Sequence, residues 1–396
     1  MSAPLQEPPL SLYVHLPWCV RKCPYCDFNS HAAPALIPYA QYIDALLDDL
    51  DLDLEQMTAA ARPLTSIFFG GGTPSLFTPE HIGRFLDGVR SRLRCVDDME
   101  VTLETNPGTI EHGRFSGYRD AGVTRVSLGA QTFNETHLQL LGRIHGADEI
   151  RRAVDELASA GLVNFNIDLM YGLPQQTRQQ ALDDVAAAIA LGPQHISHYQ
   201  LTLEPGTVFF HRPPPLPEHD ETWEMQLECQ AVLEAHGYAQ YEISGYAQPQ
   251  RRCRHNLNYW QFGDYVGIGA GAHGKLTIAG EGRIVRTERV HHPRDYLSRS
   301  PASRVKNRRS IEAGDRAFEY MLNTLRLLEG FSMRHFEVRT GLPAAVLAEV
   351  LESARSKNML ERIDSDRWRP TAFGLQFLNE LQGLFLPETG ASTDVG

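Results

Sequence analysis

Six short apolar runs recur along the first two thirds of the 396-residue chain, and helical patterns fill the gaps between them. The runs are Leu12–Leu16, Thr65–Phe69, Met99–Thr105, Val123–Leu128, Phe165–Met170 and His195–Leu201. Helical spacing covers Ile37–Thr58, Pro79–Leu93, Asp148–Ala160 and Gln179–Leu191. Alternation of this kind implies βαβ units and a parallel sheet. Six units exceed a simple nucleotide-binding half and fall short of the eight of a closed barrel. The expected fold is therefore α/β, an open, partial (β/α)6 barrel. Hydrophobic residues make up 42% of the chain, enough for a sizeable core without disulfide staples. No run approaches 18 uncharged apolar residues, which excludes a membrane-spanning helix. The first residues, MSAPLQEPPLSLYVHL, carry neither a basic region nor a long apolar stretch, so they read as a cytoplasmic start and not as an export signal.

Beyond the sixth run the pattern changes. His211–Pro217 is a Pro-rich surface loop. From Glu281 to Arg309 there are nine Lys or Arg against three Asp or Glu. Phe318, Met321, Leu322, Leu325 and Leu328 then sit at helical spacing, and Ala344–Asn358 reads as a second helix. Leu360–Ile363 and Trp368–Arg369, separated by Asp-Ser-Asp, read as a hairpin. Helices followed by a small hairpin suggest a winged-helix-like α+β appendage. The expected division is a core over 1–245, a connecting segment over 246–309, the appendage over 310–386 and a disordered tail over 387–396. A net charge of −12 speaks against the whole molecule being a nucleic-acid binder, and many winged-helix-like modules bind no DNA, so no nucleic acid is expected as a partner.

Of six cysteines, three cluster as Cys19-x3-Cys23-x2-Cys26, directly after the first run. Without an export signal, such a cluster points to metal ligation or redox chemistry. Three thiolates on one loop can hold three irons of a four-iron cluster and leave the fourth open to a small molecule. The alternative is a zinc site completed from elsewhere, by His15 or Asp27. Cys95 and Cys229 read as ordinary helix residues, and Cys253 stands apart.

Residues of unusual type fall just past the ends of the runs. Gly70, Gly71, Gly72 and Thr73 follow the second, where glycines let a backbone approach a ligand closely. Glu104 ends the third, Gln131 follows the fourth and Asp168 lies near the end of the fifth. The C-terminal edge of a βα barrel is where such folds build their sites. Four run ends converging on the edge that carries three cysteines mark a candidate site.

These residues resemble the radical S-adenosylmethionine (SAM) superfamily, and more closely its oxygen-independent coproporphyrinogen III oxidase group. The resemblance rests on the cysteine spacing, Tyr13-Val-His15-Leu-Pro17, Gly70–Ser75, Glu104-x2-Pro107, Ser127–Phe133 and Asn166–Pro174. It runs over almost all of the chain, the C-terminal appendage included. It implies a [4Fe–4S] cluster on Cys19, Cys23 and Cys26. SAM would chelate the open iron and be lined by Tyr13, Gly71, Gly72, Thr73, Glu104, Gln131, Arg143 and Asp168. Tyr25 takes the place of an aromatic beside the last cysteine. In such proteins an electron from the cluster breaks the sulfonium C–S bond to give a 5′-deoxyadenosyl radical.

Two departures separate this chain from the oxidase. Phe28 stands where the oxidase has a fourth cysteine, and only twelve residues precede Tyr13. Both weigh against decarboxylase activity. Cys26–Ser30 and Arg254–Trp260, which contains HNxxYW, instead resemble the haem-chaperone branch of the group, whose HNxxYW motif is linked to haem. The resemblance implies haem as a third cofactor, with His255, Asn256, Tyr259 and Trp260 about it. The partners implied are apo-haemoproteins, respiratory enzymes in membranes among them, with the chain a monomer or dimer. From the residues alone, His255 suits an axial iron ligand, Tyr259 and Trp260 could flank a porphyrin, and Arg251, Arg252 and Arg254 could meet propionates. Equally, the aromatics could pack on the barrel while His255 caps a turn. His273 in Gly267–Gly274 reads as structural or pocket-lining. The alternative function is a radical SAM enzyme acting on a porphyrin or other substrate, as a coproporphyrinogen III dehydrogenase or a methyltransferase.

Overall fold

Residues 4–55, 57, 62–109 and 114–387 are described by the computed structural model of the chain. Strands β1 (Leu10–Leu16), β2 (Leu64–Gly71), β3 (Cys95–Thr105), β4 (Arg125–Gln131), β5 (Phe165–Tyr171) and β6 (His195–Gln200) lie side by side, each parallel to the next. In β1 and β5 all but one position is buried, as expected where both faces of a parallel sheet are covered. The covering helices show why they dock. Ile43, Leu46 and Leu50 of the helix Tyr39–Leu54 face the sheet, as do Ile82, Phe85, Leu86 and Val89 of Pro79–Arg90 and Ile150, Val154 and Leu157 of Ala147–Ser159. In each, apolar residues three and four apart make one stripe.

The sheet continues past these six strands. β7 (Ala239–Glu242) and β8 (Gly245–Ala247) extend it beyond β6. At the other edge it gains β9 (Asp264–Ile268), β10 (His273–Ile278), β11 (Arg283–Arg289) and β12 (Val305–Ser310). The order is β12-β11-β10-β9-β1-β2-β3-β4-β5-β6-β8-β7. β9 runs parallel to β1, with Tyr13 opposite Gly267, and β10 to β12 are antiparallel additions. Four strands of the stretch 246–309, expected as a connection, thus belong to the main sheet. Cys95 opens β3 instead of lying in a helix, while Cys229 is buried in the helix His219–Ala235.

The C-terminal part carries a small sheet in the order β13 (Phe331–Ser332), β15 (Arg367–Pro370), β14 (Leu360–Arg362), with helices Ala313–Thr324, Met333–Thr340 and Ala348–Ser356 about it. Its core of Tyr320, Met321, Leu325, Phe336, Leu351 and Trp368 is continuous with Phe262 and Ile284, which ties it to the main sheet. Residues 388–396, nearly all of the expected tail, lie outside the described residues.

Candidate functional site

β1 ends at Leu16, and just past Pro17 a short parallel bridge pairs Trp18 with His31 and Cys19 with Ala32. The bridge closes the cysteine loop over the C-terminal edge of the sheet. The glycines after β2 press against the base of this loop. Gly72 N–H donates to Leu16 O at 2.8 Å, and Thr73 N–H to Trp18 O at 2.8 Å. A Cβ on Gly72 would lie 2.5 Å from Trp18 O, so only glycine fits. Gly71 has φ +114°, in the region where side chains are strained.

Cys19, Cys23 and Cys26 line a cavity of about 590 Å³, together with Tyr25, Gly71, Gly72, Thr73, Glu104, Gln131, Arg143, Asp168, Asn256 and Trp260. All three thiols are partly exposed and free. Burial raises the Cys19 and Cys26 thiols, while hydrogen bonds from Thr73 and Ser30 on Cys19, and from Phe28 and Ser30 on Cys26, pull back. The Arg143 guanidinium lies 3.6 Å from Cys23 Sγ. Among the described residues the three sulfurs do not gather within the mutual 4.8 Å that binding one ion requires. Thiols spread about a cavity suit separate irons of a cluster better than one zinc ion. His15, the alternative fourth zinc ligand, is already engaged: Tyr13 Oη lies 2.7 Å from its Nδ1 and Asn29 O lies 2.9 Å from its Nε2. The donor set fits an open-cornered cluster.

Strand register aligns the opposite wall. Glu104 pairs with Ser127, Gly129 with Asp168, and Asp168 with Ser197. Asp168 accepts from Ser127 Oγ at 3.0 Å and Asn166 Nδ2 at 2.7 Å; burial still raises it above the ordinary range. Burial first, and the charge of Asp168 second, push Glu104 up to about 8, although Gly71 N–H donates to it at 3.3 Å. Two half-buried carboxyls facing one cavity cannot both ionise cheaply, so the pair calls for a cation or hydroxyl donors between them. Gln131, at φ +71°, accepts from Tyr199 Oη at 2.8 Å. Arg143 donates to Gly129 O at 2.7 Å, bringing positive charge to the thiol side. Ser127, Ser197 and Tyr199 also line this wall. Sequence reasoning passed over them, though polar residues at every second position of β6 were the available signal.

Tyr13 and Tyr259 line a second cavity of about 840 Å³. Phe28, Gly71, Glu104 and Trp260 line both, so the two cavities adjoin. Arg254–Trp260 is a helix, and Glu100 of β3 caps it. The carboxylate accepts the N–H groups of Arg254 and His255, each at 3.1 Å, and lies 3.0 Å from His255 Nδ1. Burial alone would raise Glu100; the hydrogen bond and charge of His255 outweigh it and hold the carboxyl well below its usual range. His255 is buried and stacks on Phe68, with ring centroids 4.2 Å apart and planes at 7°. It lines neither cavity. The ring sits inside the helix that Glu100 caps, against Phe68 and the Glu100 carboxylate. Arg252 pairs with Glu329 and Arg254 with Asp98, away from both cavities.

The radical SAM superfamily model matches residues 13–188, and the HemN C-terminal domain matches residues 311–377. A haem chaperone HemW of Escherichia coli is 48% identical over 96% of this chain and 99% of its own length. A second haem chaperone HemW, from Bacillus subtilis, is 31% identical over 96% of this chain and 99% of its own. The chain belongs to the HemW family. Among solved structures, coproporphyrinogen III oxidase of E. coli shares the fold at a TM-score of 0.80 and 22% identity, covering 96% of this chain and 90% of that one. Membership of the HemW family places the α/β barrel within the radical SAM superfamily, with its iron–sulfur cluster and SAM. No helix among the described residues is long and apolar enough to cross a membrane.

Proposed function

We propose that this chain binds haem and passes it to apo-haemoproteins, respiratory enzymes in membranes among them, on a scaffold holding a [4Fe–4S] cluster and SAM. The observation that carries the reading is the pairing of cavities. One holds three thiols and a polar wall; the other adjoins it and is walled by Tyr259, Trp260, Phe28 and Tyr265, the aromatic lining a flat apolar ligand requires. The HemW relatives named above support it.

In the first cavity Cys19, Cys23 and Cys26 would hold three irons. The backbone at Gly71 and Gly72 and the hydroxyl of Thr73 would meet the amino group of SAM, and Arg143 would balance its carboxylate. Glu104 and Asp168 accept hydrogen bonds from ammonium and hydroxyl groups, with Gln131 beside them and Tyr25 against the cluster. Bound together, cluster and SAM supply one-electron chemistry at a sulfonium centre. An oxygen-labile cluster with free thiols suits a reducing compartment, so the reading places the chain in the cytoplasm. Phe28, exposed at the border of the two cavities, stands where the oxidase has a cysteine, which supports a carrier over a decarboxylase.

The test is to reconstitute the protein anaerobically, add haem, record the spectrum and offer an apo-haemoprotein, with coproporphyrinogen III assayed in parallel. Expected are about four irons and about one haem per chain, transfer of haem, and no protoporphyrinogen. Replacing any of Cys19, Cys23 or Cys26 by Ala should remove the iron and leave haem binding. Turnover of coproporphyrinogen well above a cluster-free control would put the enzyme reading first.

A further inference from the structure

A pair of imidazoles on the rim of the second cavity has a role in neither the cluster site nor the Glu100 cap. His273 opens β10 and faces Glu288 of β11 as its cross-strand partner. His291 follows two residues after β11 ends. One ligand atom from each of His273, Glu288 and His291 lies within 4.8 Å of the others. Both histidines are exposed and line the cavity.

Glu288 lies 2.9 Å from His291 Nε2 and is itself pinned by Lys306 Nζ at 2.6 Å. An imidazole that gives one N–H to a carboxylate presents its other nitrogen as an oriented lone pair, the arrangement that metal-binding histidines use. Across the same cavity, Trp260 Nε1–H is buried and has no hydrogen-bond partner among the described residues, a donor suited to a ligand's carboxylate. His255 lacks these qualities: it is enclosed between Phe68 and Glu100.

Resting on the haem reading above, we infer that the haem iron is ligated at this rim by one imidazole of the His273–His291 pair. His291 is oriented by Glu288, and Tyr259 and Trp260 wall the porphyrin. His255 is then a positioning residue. It holds the helix that carries those two aromatics and does not touch the iron.

The experiment titrates haem into the full chain and into H273A/H291A, E288Q and H255A, reading the Soret band and the low-temperature EPR of the ferric state. The rim histidines are exposed, so their double variant should fold, and its thermal unfolding is recorded beside the spectra. Expected for H273A/H291A are loss of the imidazole-ligated spectrum and at least about tenfold weaker binding, the scale of a lost metal–ligand contact. E288Q should shift the spectrum while haem still binds. H255A should weaken binding through the displaced helix yet keep the imidazole-ligated EPR signature. A double variant with the unaltered spectrum and affinity overturns the assignment, as does H255A alone losing the imidazole signature. If the unaltered protein binds no haem, the haem reading itself falls, an outcome the variants cannot mimic.

Discussion

Asp168 and Glu104 show how single residues are set apart by their neighbours. Both stand half-buried in the first cavity's wall, yet Asp168 accepts from Ser127 and Asn166, whereas Glu104 has one long bond from Gly71. Asp168 therefore holds its charge more readily and is the better acceptor for a ligand's hydroxyl or ammonium groups. Removing one desolvated partner of such a contact typically costs a few kcal/mol. Asp168→Ala should weaken SAM binding by on the order of a hundredfold and leave iron content unchanged, as equilibrium binding and iron analysis would show. Unchanged affinity in both Asp168→Ala and Arg143→Ala would displace the site from these strand ends. These residues were legible because each stands where an apolar run stops. The burial of His255 was not, since its partner Glu100 lies 155 positions away and no local pattern announces the pair.

At the scale of elements, the glycine turn after β2 is the joint between sheet and cysteine loop. Its backbone donates into Leu16 O and Trp18 O, and there is no room for a side chain at Gly72. Overpacking of this kind costs about 1–3 kcal/mol. Because the obstructing atoms are backbone, Gly72→Ala must push the cysteine loop away. It should lower the urea midpoint and reduce iron uptake together. Gly280→Ala, with nothing within 4 Å of the added Cβ, should change neither. If Gly72→Ala takes up iron normally, the turn does not position the loop. The six parallel strands were readable because burial on both faces leaves continuous apolar runs. The strands that widen the sheet were not. β12, Val305–Ser310, is exposed or half-buried throughout and reads as a charged segment. β9 finds β1 only through a pairing some 250 residues long in sequence.

At the scale of the whole molecule, enclosing so much polar machinery makes stability depend on pH. Burial lowers His15, His145 and His335 to about 4 and His198 to about 3. Each is neutral when folded and takes up a proton on unfolding once the pH is below its ordinary value near 6.5. A lowered folded pKa gives stability that is complete above that value and is lost as the pH falls toward 4. Glu104, pushed up to about 8, and Asp184, pushed up to about 6, act in the opposite sense: they favour the folded state at low pH and lose that contribution as it rises. Between pH 6.5 and about 4.5 the four histidines outweigh the two carboxyls, so unfolding takes up protons and acid destabilises the fold. The urea midpoint should fall from pH 7.5 to pH 5.5, with the slope of the transition unchanged. His198→Phe keeps a buried ring without the titrating nitrogen and should show a shallower decline. An equal or higher midpoint at pH 5.5 would mean that the carboxyls, and not the histidines, govern the acid limb.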